Sequence, residues 1–331
     1  MRHTLRTHAG LFVLAAILLV LPLLGPSSFV LDLATRMAFT AVVVIGLNLL
    51  FGYAGQVSLG HAAFVGLGGY ASAILTTHFG WPSLAAMVGG AVAVGLLAFA
   101  IARPILRLAG YHLAMATLSL AFIVTIVCTN EARWTGGSDG MPVAPFTLFG
   151  WTLEGERPWY AVAAVCLLAV AWGASNFARS PAGRALQAIR GSEVAARLSG
   201  IDVARAKTRV FVLSAVLASV MGSLMAHQAG FITPTATGLG RSVDLLMMVV
   251  LGGMASIYGS VVGAVLVMVL PQLLHAIGAW ETLVMGLILT GTLIFTRDGI
   301  VPTLHRQMRL RWPMRAAVTK TEPKVNREPS A

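Results

Sequence analysis

From Met37 to Ala102 the chain carries no Asp, Glu, Lys or Arg, and this one stretch removes most folds from consideration. A soluble domain covers itself with roughly 25% charged residues and leaves no window of that length uncharged. In hydrocarbon only helices or closed barrels satisfy their own backbone, and the apolar runs here are continuous rather than alternating, so they read as helices. The whole chain agrees: of 331 residues, 57% are apolar and 11% charged, with a mean hydropathy of +0.83. The expected fold class is all-α, a polytopic transmembrane helical bundle.

Within the uncharged stretch, Gly52-Tyr-Ala-Gly-Gln-Val-Ser-Leu-Gly60 and His78-Phe-Gly-Trp-Pro-Ser83 are the interruptions, because glycine, proline and small polar residues mark turns. Three spans result, near 30–51, 61–77 and 83–102. Further runs at 111–129, 159–175, 208–228, 242–258, 261–277 and 281–296, with a first run at 11–24, bring the expectation to about ten spans. Gly259-Ser260 separates the run at 242–258 from the next. Arg2 and Arg6 before a short apolar run would also suit a cleaved leader, but Gly25-Pro26-Ser27-Ser28 is a poor cleavage site, which favours a retained span.

The segments then read as a cytoplasmic N-terminus at 1–10, a transmembrane domain at 11–297 and a basic, disordered tail at 298–331. An external loop covers 130–158 and a cytoplasmic loop 177–207. The net charge of +11 comes from 23 Lys and Arg against 12 Asp and Glu. These charges sit in loops, as the positive-inside rule requires, and do not imply nucleic acid. Only Arg36, Arg133, Arg157 and Arg241 fall outside, and both termini fall inside. Trp134, Trp151, Trp159 and Tyr160 suit the water–lipid boundary.

Catalytic motifs are missing. The lysines are Lys207, Lys320 and Lys324, none preceded by glycine, so no P-loop exists. There is no His-Glu-x-x-His, and Gly136-Gly-Ser-Asp-Gly140 lacks the strand and helix that make a nucleophile elbow. Cys128 and Cys166 lie inside apolar runs, where a thiol behaves as a small hydrophobe, so no disulfide and no metal site is expected. No cofactor is expected on this chain, and it does not read as an enzyme.

The polar exception is Asn176 to Arg209, with Arg179, Arg184, Arg190, Arg197, Arg205, Lys207 and Arg209 against Glu193 and Asp202. Residues 181–190 read as a short helix starting at Pro181, and 193–200 as a second ending at Gly200. Leu186 with Ile189, and Ala195 with Leu198, give each a small apolar face. Such helices can seat in a partner's groove or lie on anionic lipid, and the residues alone leave both open.

Polar groups at membrane depth are costly and face a cavity or another helix. They nominate Asn48, Gln56, Ser58, His61, Gln228 and Gln272 for a substrate pathway, against the plainer reading of interhelical hydrogen bonds. Gln56 and Ser58 stand out because they lie in a glycine-interrupted turn. His61 reads as a packed, neutral imidazole.

Glu193-Val-Ala-Ala196 followed by Gly200-Ile201-Asp202 resembles the Glu-Ala-Ala loop of ABC importer permeases. Gly55-Gln-Val-Ser-Leu-Gly-His61, Gly110-Tyr-His-Leu113, Thr135-Gly-Gly-Ser-Asp-Gly140, Ser180-Pro-Ala-Gly-Arg184 and Leu251-Gly-Gly-Met254 resemble the branched-chain amino-acid permeases of the LivM type. The resemblance covers roughly residues 40 to 300, and Ser260, where that family often has proline, departs from it. It implies an importer of leucine, isoleucine and valine in a bacterial inner membrane. Its expected partners are a second related permease, two ATPase subunits that use the ATP, and a periplasmic substrate-binding protein. By position, Glu193, Ala195, Ala196 and Gly200 would make the ATPase contact, with Arg184 and Arg190 as further candidates. The same scaffold could carry urea or short amides. An ion-coupled transporter, of a different class, would want a buried carboxylate, and none lies between Arg36 and Asn130.

Overall fold

The computed structural model describes residues 2–105, 110–148 and 150–274, with positions 283, 284, 286, 287, 290, 291, 294 and 299–303. Its helices are α1 (Arg2–Leu23), α2 (Ser28–Asn48), α3 (His61–Thr77), α4 (Ser83–Ile105), α5 (Tyr111–Asn130) and α6 (Ala132–Thr135). They continue with α7 (Glu156–Arg179), α8 (Pro181–Gly191), α9 (Glu193–Leu198), α10 (Val203–Ala229), α11 (Leu239–Gly252) and α12 (Ile257–Leu274). Among the described residues, six helices are long and apolar enough to cross a membrane: Ser28–Tyr53, Ser83–Ile105, Tyr111–Asn130, Glu156–Arg179, Val203–Ala229 and Ile257–Leu274. The expected last span, near 281–296, and the tail at 298–331 lie largely outside the described residues.

Helix α3 is the axis of the bundle. It is apolar on all sides, as a fully enclosed helix should be, and packs against α10, α4, α5 and α11. Lipid offers no hydrophobic drive for helix association, so close packing of small residues must supply it. Here α3 and α10 meet backbone to backbone: a Cβ on Gly222 would lie 1.9 Å from the Val65 carbonyl oxygen, and one on Gly68 2.1 Å from that of Ser219. Phe64 then packs edge-on against Phe211, with ring centres 5.6 Å apart.

At the periphery α1 lies against α7. Pro22 has no N–H to give the Leu18 carbonyl its helical bond. The Tyr160 hydroxyl donates to that oxygen instead, at 2.7 Å. Tyr160 and Trp159 are buried in the bundle, whereas Trp151 is exposed. The aromatic pattern alone could not separate these positions, because a Trp or Tyr suits both.

The remaining differences from expectation are local. The loop at 130–158, expected to be external, is not wholly helical or irregular: Met141–Pro142 pairs antiparallel with Phe231–Ile232, and Thr147–Leu148 with Trp151–Thr152. The run expected at 242–258 is broken at residues 253–256, not at Gly259-Ser260. Gly253 and Ala255 both have positive φ, at 120° and 58°. Gly259 stays helical, its missing side chain admitting the Gly252 carbonyl, which would lie 2.4 Å from a Cβ there.

The contact of α3 with α10 generates a direct test. Gly222→Leu should cost about 3 kcal/mol or more through overpacking against backbone, seen as loss of a monodisperse peak on gel filtration in detergent. Gly173→Leu, where a Cβ meets nothing within 4 Å, should elute as the parent does.

A candidate coupling and translocation site

The site begins where α2 stops being an α-helix. Past Asn48 the helix widens into a π turn at Leu49–Tyr53. The N–H groups of Ala54 and Gly55 both turn back to the Phe51 carbonyl, and that of Gln56 bonds Leu50. The chain leaves the helix through Gly55, whose φ of 70° suits glycine. These bonds leave the Gly52 carbonyl without its helical partner, since Gln56 N–H is already used.

Residues 54–60 then run as irregular backbone to the start of α3. Such backbone is tolerated in a membrane protein only where protein encloses it or it lines a cavity. Gln56, Ser58 and His61 are 2%, 1% and 1% exposed. Both amide atoms of Gln56, the Ser58 hydroxyl and His61 Nδ1 have no hydrogen-bond partner among the described residues. The other ring nitrogen, Nε2, lies 3.3 Å from the Ser214 hydroxyl on α10. Each unpaired buried group costs about 1–3 kcal/mol, so three such residues within one short turn call for a functional explanation.

Asn48 has a different place. Its Nδ2 donates to the Ser256 carbonyl at 2.9 Å and the Ser260 hydroxyl at 2.7 Å, with the Gly253 carbonyl at 3.3 Å. Its Oδ1 accepts from Ala255 N–H at 2.9 Å. One side chain thus satisfies the broken ends of α11 and α12. Gly52 packs on the same group, since a Cβ there would lie 1.9 Å from Asn48 Oδ1. Gln228 donates to Asp32 at 2.7 Å, and Gln272 is exposed.

The basic loop folds as the expected helix pair. The Ser180 hydroxyl caps α8 by accepting from Gly183 N–H, with Pro181 in the first turn, and the Ser192 hydroxyl caps α9 by accepting from Ala195 N–H. Their apolar faces divide unexpectedly. Leu186 and Ile189 are both 2% exposed, packed on the protein's own bundle, and Ala196 is also buried. Ala195 faces out, and beside it Val194 and Leu198 form an exposed pair one turn apart, 66% and 85% accessible. An i,i+4 apolar pair is readable in sequence, but Val194 was missed because Ala195 and Ala196 drew the face elsewhere.

The charged groups of the loop are tied within the chain. Glu193 pairs with Lys207 at the root of α10 and with Arg197 at 3.3 Å. Arg184 donates to the last-turn carbonyl of Arg179 at 2.7 Å. Arg190 donates through Nη1 to the freed Gly52 carbonyl, and its Nη2 lies 3.9 Å from the Met254 sulfur. Gly200 has a φ of 80° and closes α9, its N–H donating to the Arg197 carbonyl.

Membrane-length helices around an enclosed polar turn, with a charged helix pair between two of them, define an integral membrane protein. Residues 29–295 match the family described as branched-chain amino acid transport system / permease component, and the chain belongs to it. It is 31% identical to the high-affinity branched-chain amino acid transport system permease protein LivM of Escherichia coli (strain K12), over 91% of this chain and 77% of that protein. It is also 28% identical to the ribose import permease protein RbsC of the same strain, over 83% of this chain and 87% of that one. The autoinducer 2 import system permease protein LsrC of Enterobacter sp. (strain 638) is 31% identical over 50% of each chain. No solved structure matches.

The geometry around Asn48 predicts that Asn48→Ala lowers the thermal unfolding midpoint in detergent, by the equivalent of about 3 kcal/mol, because Ala255 N–H and several carbonyls lose their partner. Gln272→Ala should leave the midpoint unchanged.

Proposed function

We propose that the chain is the permease subunit of an ATP-binding cassette importer for branched-chain amino acids in a bacterial inner membrane. The observation that carries this reading is the match to the permease family across residues 29–295, joined by the LivM relatives over most of the chain. Two ATPase subunits hydrolyse ATP, since this sequence has no P-loop of its own. A second related permease completes the pathway, and a periplasmic binding protein delivers substrate. About ten spans with both termini cytoplasmic fit the basic loops and the six long helices, with α1, α3, α11 and the run near 281–296 added.

The docking surface is the outer side of α9: Glu193, Ala195 and Gly200, with Val194 and Leu198 as the apolar anchor. Ala196 supports it from within. Arg184 and Arg190, both engaged inside the chain, are not needed as direct contacts. Movement of this helix pair, driven by closure of the ATPases, switches the bundle between outward and inward access. Gln56, Ser58 and His61 supply the polar lining of the pathway, and Asn48 acts as a clamp beside it.

The names of the LivM relatives point to branched-chain amino acids, here leucine, isoleucine and valine, and the ribose and autoinducer 2 permeases make the choice worth testing. Uptake of labelled leucine by cells lacking, then regaining, this chain decides it. Valine and isoleucine should compete, and ribose and urea should not. Competition by ribose alone would retain the importer and replace its substrate. Leu198→Glu and Gly200→Val should each lower uptake at least about tenfold with the chain still in the membrane, the first through a lost anchor and the second through backbone strain. Normal uptake by both would refute the docking surface.

A further inference from the structure

Arg190 of α8 reaches past the helix pair and, among the described residues, makes polar contacts with both interrupted segments of the bundle described above. Its Nη1 holds the Gly52 carbonyl, freed by the π turn. A charge-assisted bond to such an orphan acceptor is roughly twice as strong as a neutral one. Its Nη2 faces Met254, inside the break between α11 and α12 that Asn48 caps. Its stem lies against Gly55, where a Cβ would be 3.3 Å from Arg190 Cγ and where φ is already 70°. Arg190 therefore touches the backbone that leads to Gln56 at Gly52 and Gly55, and reaches Met254 in the α11–α12 break. Lysine could hold the Gly52 oxygen but has no planar fork to span both segments.

We infer that Arg190 is a positioning residue for transport: it ties α8 to the end of α2 and to the α11–α12 break, so that displacement of α8 moves the Gln56–His61 turn. This rests on the transport reading above. Helices α8 and α9 pack against each other as one unit, and both are anchored on the bundle. Leu186 and Ile189 seat α8 on the bundle, and the pair of Glu193 with Lys207 braces α9 against α10. Arg190 is then the point where motion of that unit reaches backbone that is neither helical nor held by a regular hydrogen-bond ladder.

The test uses the intact transporter purified from its own membranes and placed in proteoliposomes, with labelled leucine taken up per ATP hydrolysed as the readout. Arg190→Ala should still bring the ATPase with it and should lower leucine per ATP at least about tenfold. Arg190→Lys, which keeps one donor, should lower it about threefold. A cap that served only stability would change yield and leave the ratio alone. An unchanged ratio in Arg190→Ala overturns the inference, and so does loss of the ATPase from that variant, which would make Arg190 a docking contact. Where Arg190→Ala fails to accumulate, an unchanged ratio in Arg190→Lys overturns it equally.

Absence of ATP-dependent uptake of leucine, and of ribose, by the parent protein would fail the transport reading instead. The inference is then judged on the chain alone, with Ser58→Cys as reporter in a background of Cys128→Ala and Cys166→Ala. Arg190→Lys should speed the reaction of that cysteine with a water-soluble maleimide at least about threefold, and an unchanged rate would overturn the inference.

Discussion

The amide of Asn48 is the interaction on which the functional half of the bundle depends. Helix breaks at membrane depth expose N–H and C=O groups that lipid cannot satisfy. The break at residues 253–256 is viable because Asn48 meets it from α2 with donors and an acceptor together. The same residue sits one step before the π turn of its own helix, so two irregular segments are fixed by a single side chain. Gly52 lets them approach: any side chain there would collide with the amide.

Around this knot the rest of the molecule divides into stiff and compliant parts. The stiff part is α3 locked to α10 through glycine and serine, with van der Waals contact replacing the hydrophobic drive that lipid does not provide. The compliant part is the turn from Ala54 to Gly60, enclosed but short of hydrogen bonds, with Gln56, Ser58 and His61 carrying unpaired polar atoms. A rigid frame around an under-bonded polar turn gives a permease what it needs. In the proposed transporter the frame would hold the membrane seal, and the turn, with unpaired polar atoms, would be the part that changes partners. The short helix pair α8–α9 reaches this turn through Arg190 and presents Val194 and Leu198 on its exposed side.

Much of this was legible in sequence because turns and caps are local. Gly52 to Gly60 reads as an interruption, and Ser180-Pro181 and Gly200 mark the two short helices where they are found. What failed to read was long-range. The partners of Asn48 lie more than two hundred residues away, so pathway and clamp could not be told apart. Gly259-Ser260 looked like a turn, yet Gly259 is small for the sake of helix contact. Leu186 and Ile189 form an amphipathic face in either case, and only packing reveals that the chain itself covers it. Trp159 and Tyr160 suit a lipid boundary as rings, and only the packing shows that protein surrounds them.

The substrate is carried by kinship rather than by geometry. The LivM, RbsC and LsrC relatives are named for branched-chain amino acids, ribose and autoinducer 2 respectively. The mode of energy supply is the more fundamental claim. Its most direct test is to draw the chain from native membranes in mild detergent and identify by mass spectrometry what accompanies it. The account predicts a P-loop ATPase and a second permease. Recovery of the chain alone, still transporting in ATP-free vesicles under an ion gradient, would contradict it.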